Sequence, residues 1–156
     1  MTNNDILRRI RFTFDLKEND IIKLFALADE SVDSSSITTW LKKDDDPAYV
    51  KLKDRQFSAF LNGFITSRRG KREGVETKNE TSLNNNMIFQ KLRIALHLNA
   101  DDVLEVLALA DFNISKHELS AFFRKPGTKN FRECKDQVLR NFLQGVQLKY
   151  RPIQTK

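Results

Sequence analysis

The chain has one cysteine in 156 residues, which excludes a disulfide framework within the chain and any cysteine-based zinc site. Its longest apolar runs, Leu24–Ala28 and Val106–Ala110, are five residues each. A membrane span needs roughly 20. The opening stretch, MTNNDILRRIRF, has no apolar core of a secretory signal. Together these point to a soluble, cytoplasmic protein with no membrane partner. There are only two histidines, His97 and His117, and no Gly-rich phosphate loop, paired-carboxylate motif or HExxH motif is present. Tyr and Trp are scarce (two and one) against twelve Phe, so the aromatics read as core filler rather than polar-tipped contact residues. What is present is 40% apolar residues, enough for a core, and 27 basic against 21 acidic side chains, a net charge of +6 that leaves anionic partners open.

The chain repeats itself. Shifted by 82 residues, positions 3–69 align with 85–151 without a gap and with 17 identities in 67 positions. Asn3-Asn4 falls on Asn85-Asn86, Leu27-Ala28-Asp29 on Leu109-Ala110-Asp111, Lys53-Asp54 on Lys135-Asp136, and Phe60-Leu61-x-Gly63 on Phe142-Leu143-x-Gly145. Ordinary composition produces about one chance identity in 15 to 20. The chain therefore divides into a first repeat (1–69), a polar linker (70–83), a second repeat (84–151) and a tail (152–156). A unit of some 67 residues has a marginal core by itself, so the repeats are expected to pack about a pseudo-two-fold axis.

Each repeat reads as four helices, and the fold class is all-α. Ile6, Leu7, Ile10 and Phe14 recur at helical spacing, matched by Ile88, Phe89, Leu92 and Leu96. This predicts a first helix over about 4–16 with Asn4 and Asn86 as N-caps. The second carries Ile21, Leu24, Phe25 and Ala28, with Asp20 and Asp102 in the first turns, where carboxylates favour the helix dipole. The third runs from about 34 to 43, with a Ser115-x-x-Glu118 capping box in the second repeat. An irregular segment holding Tyr49 or Phe131 as an aromatic anchor leads to the fourth helix, 54–69 or 136–151. Gly63 and Gly145 lie inside it, where Gly costs about 1 kcal/mol against Ala. Retention in both copies predicts close helix–helix approach.

Two features bear on function. Val32–Leu41 and Ile114–Phe123 resemble the turn and second helix of a helix-turn-helix unit. That reading exposes Ser35, Ser36, Thr38, Thr39, Lys42 and Lys43, and in the second copy Lys116, His117, Ser120, Arg124 and Lys125. The second is the basic run Arg68, Arg69, Lys71 and Arg72 at the mouth of the linker, able to meet phosphate or cover a helix end. Lys42, Lys43, Arg124 and Lys125 also suit the negative end of the third helix. The acidic run Asp44–Asp46 opposes phosphate. Arg11 with Asp29, and Arg93 with Asp111, are expected as interhelix ion pairs repeated by the duplication. Neither histidine has a twin, since Asp15 and Ser35 stand at the matching positions, and Cys134 matches Leu52 as a small core residue. No catalytic, cofactor or metal site is assigned.

Asn84–Leu96, Trp40–Lys43, Phe60–Gly63 and Lys129–Cys134 resemble the YehS-like bacterial proteins, a family with a tandem domain of unknown function. The resemblance covers about residues 2–151. It implies a small cytoplasmic bacterial protein made of two copies of one domain, and brings no substrate, cofactor or catalytic residue with it. The reading is a non-enzymatic helical binding module that contacts a protein partner. The alternative is nucleic-acid binding through the helix-turn-helix-like elements, and a third is an enzyme with a pocket between the repeats.

Overall fold

The computed structural model describes residues 1–70 and 78–151. Among them all regular structure is helical: α1 (Asn3–Thr13), α2 (Glu18–Leu27), α3 (Ser34–Trp40), α4 (Asp54–Arg69), α5 (Asn85–Ala95), α6 (Ala100–Leu109), α7 (Lys116–Phe122) and α8 (Asp136–Tyr150). They fall into two units, 1–83 and 84–156, each with four helices in the same order. No helix among the described residues is long and apolar enough to cross a membrane.

The shared Asn pair does something other than capping. Each first helix begins two residues before the expected cap, at Thr2, whose hydroxyl forms a capping box with Asp5, and at Asn84, which accepts from the Met87 amide. Asn4 and Asn86 are thereby carried into the helix and buried, at 0% and 8% exposure. The Asn4 amide donates to the Trp40 carbonyl (3.0 Å) and the Val50 carbonyl (2.9 Å), and accepts from the Leu52 N–H (2.9 Å) and the Tyr49 hydroxyl (3.1 Å). Asn86 repeats three of these bonds, to Phe122, Arg132 and Cys134, each 2.9 Å long. Beside them, Asn3 donates to the Leu52 carbonyl and to Asp54, and Asn85 to the Cys134 carbonyl and to Asp136. Two side chains thus satisfy both backbone groups of Leu52, or of Cys134, which is what allows these residues to be buried in irregular chain. The apolar anchors of the irregular segments are therefore Leu52 and Cys134, while Tyr49 and Phe131 stay half-buried.

The Asn bonds also set where the third helices stop. α3 ends at Trp40 and α7 at Phe122, because the Asn amide takes the carbonyl of the last helical residue, and Val50 and Arg132 return their N–H groups to Thr39 and Ala121. Lys42, Lys43, Arg124 and Lys125 consequently lie beyond the helix ends rather than in their last turns. The first and second helices stop at Asp15 and Asp29, and in the second unit at His97 and Asp111, all with φ between 52° and 59°. Each is the left-handed residue of a Schellman motif: Leu16 and Glu30 bond back to Arg11 and Phe25, Leu98 and Phe112 to Arg93 and Leu107.

The fourth helix is the centre of each core. In the first unit Phe57, Phe60 and Phe64 stack along α4, with Phe25 tilted against Phe60 and Trp40 tilted against Phe25. In the second, Phe89 packs on Phe122, Phe123 and Phe142. A Cβ on Gly63 would stand 1.7 Å from the Leu24 carbonyl oxygen, and one on Gly145 2.0 Å from that of Val106. The glycines are therefore where α2 touches α4 and α6 touches α8, as the duplicated positions predict. The end of the expected linker is not free chain. Asn79 and Glu80 bond to Asn62 and Ser58 on α4, Asn79 also to the Ala28 carbonyl, and the Leu83 N–H donates to Asp54.

Two substitutions test this architecture. Asn4→Asp places a carboxylate against two carbonyl oxygens it cannot donate to, and should cost about 3–5 kcal/mol in denaturant unfolding at neutral pH. The loss should be smaller in acid, where the protonated group donates again. Gly63→Ala gains helix propensity of about 1 kcal/mol but meets the Leu24 backbone, with a net expected loss of about 1–3 kcal/mol. A raised unfolding midpoint for either would contradict the assignment.

Candidate functional site

A cleft of about 670 Å³ lies between the end of α1, the outer face of α2 and the end of α4. Phe14, Leu16, Leu24, Leu27 and Phe64 line it, and Asp20, Lys23 and Arg68 stand at its edge. The Phe14 and Phe64 rings are 5.3 Å apart, and the Arg68 guanidinium lies over both, 5.3 and 5.7 Å from their centroids. Such stacking holds a cation in place at the mouth while leaving its outer edge in water. Leu27, although a large aliphatic residue, is 47% exposed. In the second unit the positions of Phe14 and Leu16 are taken by Leu96 and Leu98, which are buried, at 5% and 7% exposure. The position of Arg68 is taken by Tyr150.

The helix-turn-helix-like element is largely occupied with itself. The α2–α3 connection has six residues, 28–33, longer than the three or four of the usual motif. Its left-handed residue is Asp29, and in the second copy Asp111. Of the hydroxyls expected to face outward, Thr38 donates to Glu18 (2.7 Å), Thr39 to the Ser36 carbonyl (2.6 Å) and Ser35 to Asp33 (2.9 Å). Ser34 also donates to Glu18, at 2.6 Å. These bonds hold the Glu18 carboxyl below its usual range, first through Ser34 and then Thr38. The Ser36 N–H, then its neighbours, does the same for the helix cap Asp33. Two carboxylates at the start of α3 are a poor neighbour for phosphate.

The predicted cations are dispersed. Lys42 pairs with Asp46 at 4.0 Å, and Lys116 with Asp101 at 3.4 Å. Lys43 is exposed, as are Arg124 and Lys125 on the loop after α7. Arg68 and Arg69 end α4, and Lys71 and Arg72 lie outside the described residues. The expected Arg11–Asp29 and Arg93–Asp111 ion pairs do not form among the described residues. Both aspartates are exposed residues in left-handed backbone, committed to ending their helices. Arg93 instead donates to the Leu98 carbonyl (3.1 Å) and lies 4.7 Å over the Phe123 ring. Sequence periodicity sees that a charge recurs, but an Arg can be retained for a carbonyl and a ring as readily as for a carboxylate. Cys134 sits in the core, and burial pushes its thiol up to about 12, so it is protonated at neutral pH. Among the described residues no three His, Cys, Asp or Glu side chains are grouped as metal ligands.

A family model described as "Protein of unknown function (DUF1456)" matches residues 3–70 and again 85–151, one match per unit, with starts 82 residues apart (85 − 3). The chain is also 41% identical over 147 residues to the uncharacterized protein YehS of Escherichia coli (strain K12), an alignment covering 94% of each chain. No solved structure matches.

The Glu18 contacts carry a pH dependence. A carboxyl whose folded pKa lies below its unfolded value contributes stability above the unfolded pKa and loses it as pH falls through the folded one. Glu18→Gln should therefore be less stable than the parent at neutral pH. The two should converge below about pH 4, the ordinary carboxylate range. Denaturant midpoints followed by circular dichroism at both pH values test this, and a gap that persists in acid would count against it.

Proposed function

The chain belongs to the family described as protein of unknown function DUF1456, and from that premise we propose that it is a non-enzymatic binding module whose first unit takes a short apolar segment of a protein partner. The open cleft beside Leu27 carries the reading. Its floor is hydrocarbon and aromatic ring, with charged groups only at the edge, a lining suited to burying side chains rather than to proton or group transfer. The stacked Arg68 and the exposed Lys23 outnumber Asp20 at the edge, so an apolar residue flanked by carboxylates is the complementary occupant. Duplication supplies a comparison within the molecule. In the second unit Leu96 and Leu98, at the positions of Phe14 and Leu16, are buried, whereas Leu109, at the position of Leu27, is 49% exposed, so the units differ on the α1 side of the cleft.

Fluorescence polarisation with labelled peptides holding Leu or Phe between Asp and Glu residues, against counterparts with Lys in the flanks, tests the reading. Saturable binding of the acidic set alone is expected. Leu27→Asp should weaken it about tenfold or more, the scale of losing one buried aliphatic contact, and Arg68→Ala should weaken it less. Equal binding of both sets, or affinity unchanged by Leu27→Asp, would overturn it.

A further inference from the structure

The two units carry the same loop with opposite charge. After α3 the first unit has Lys42-Lys43-Asp44-Asp45-Asp46-Pro47-Ala48, two basic and three acidic residues, net −1. After α7 the second has Arg124-Lys125-Pro126-Gly127-Thr128-Lys129-Asn130, three basic and no acidic residues, net +3. The same turn bonds occur in both: Asp46 and Tyr49 bond back to Lys43 and Asp46, and Thr128 and Phe131 to Lys125 and Thr128. Gly127 (φ 85°) and Asn130 (φ 74°), however, adopt left-handed backbone that Asp45 and Ala48 do not. Both loops are fastened at their far end by the buried Asn of the first helix, through Val50 and Leu52 or Arg132 and Cys134. Every residue from 124 to 130 is exposed. The core therefore places no demand on their charge.

We propose that this α7–α8 loop binds the phosphodiester backbone of a nucleic acid, with Arg124, Lys125 and Lys129 as the contacting cations. Nearby charges are already matched: Arg132 faces Glu118 at 4.0 Å, Lys135 faces Glu133 at 3.4 Å, and Lys116 faces Asp101. Arg124, Lys125 and Lys129 have no acidic group within ion-pair reach among the described residues. The helix dipole accounts for cations just past the third helix in both units, at 42 and 43 and at 124 and 125. It accounts neither for Lys129, where the first unit has Pro47, nor for the replacement of all three aspartates. Residues 124–130 carry no large apolar side chain to insert into a bilayer or to anchor in a protein pocket, whereas phosphate needs only cations on a frame. The frame is already ordered by its turns and by Asn86, so little conformational freedom remains to be lost on binding. The surface lies in the other unit from the peptide cleft, and neither proposal depends on the other.

The test is fluorescence anisotropy with short mixed-sequence duplex DNA and single-stranded RNA at a series of salt concentrations. Anionic phosphatidylserine vesicles serve as the competing polyanion. The parent protein should bind one or both nucleic acids, with affinity falling as salt rises. Replacing Arg124, Lys125 and Lys129 together by Ala should lower low-salt affinity about tenfold or more and flatten the log–log salt slope by about 2–3, near 0.9 per phosphate contact on duplex. Lys42→Ala with Lys43→Ala should leave both unchanged. Exchanging Arg and Lys at the three loop positions, which keeps every charge, should retain binding, with circular dichroism confirming the fold of each variant. No binding at low salt, a slope unchanged by the triple replacement, an equal loss from the Lys42 and Lys43 pair, or tighter binding to vesicles would each overturn the proposal.

Discussion

A buried asparagine holds each unit together. The irregular chain between the third and fourth helices has to enter the core, since Leu52 and Cys134 are 0% and 2% exposed. Irregular backbone brings N–H and C=O groups that no helix ladder satisfies, and burying them unpaired costs on the order of 1–3 kcal/mol each. The Asn4 amide has two donors and two acceptor sites and uses all four, on Trp40, Val50, Leu52 and Tyr49. In one contact it ends α3, turns the chain and admits Leu52 to the core. The second unit does the same with Asn86 and three partners, Phe131 having no hydroxyl to supply the fourth.

From that frame follow the contrasts between the units. Bonds to buried asparagine specify backbone and are indifferent to what the loop's outer side chains carry. One frame can thus present Asp44–Asp46 in one unit and Arg124, Lys125 and Lys129 in the other. The fourth helices differ in the same way. Gly63 and Gly145 are equally necessary, because in each case a carbonyl of the neighbouring helix occupies the space of a Cβ. Ser58 and Asn62, however, receive residues 79 and 80, while their counterparts Arg140 and Gln144 are exposed and half-buried. Interior contacts repeat, and outward surfaces diverge.

Much of this was legible in the chain. Helical spacing of Ile6, Leu7 and Ile10, or of Phe57, Phe60, Leu61 and Phe64, located the buried faces because burial of one face is what creates the period. The Ser115–Glu118 capping box forms as expected. Gly63 and Gly145 were readable as close approaches because a mid-helix glycine needs a reason to persist. Asn4 was misread as a cap because a helix-start Asn ordinarily serves that purpose, and the partners that show otherwise lie 36 to 48 residues away. Arg93 was misassigned for a similar reason: a carbonyl and a ring leave no charge signature in a sequence. The cleft beside Leu27 was not legible at all, since it arises from three helices whose apolar residues all look like core.

The sequence by itself determined the all-helical class, the 82-residue duplication and the inward face of every helix, because these depend on local periodicity and self-similarity. Only the tertiary structure decided which polar residues are structural and which are available. It committed Asn4 and Thr38 to hydrogen bonds, set Lys42 and Lys116 in surface ion pairs, and left Arg124, Lys125, Lys129 and the edge of the Leu27 cleft facing solvent. Within the excess of positive charge, the loop holding Arg124, Lys125 and Lys129 stands out as exposed and without acidic partners among the described residues. The physical reason is that a side chain's availability depends on which distant groups reach it, and composition and spacing carry no record of those distances.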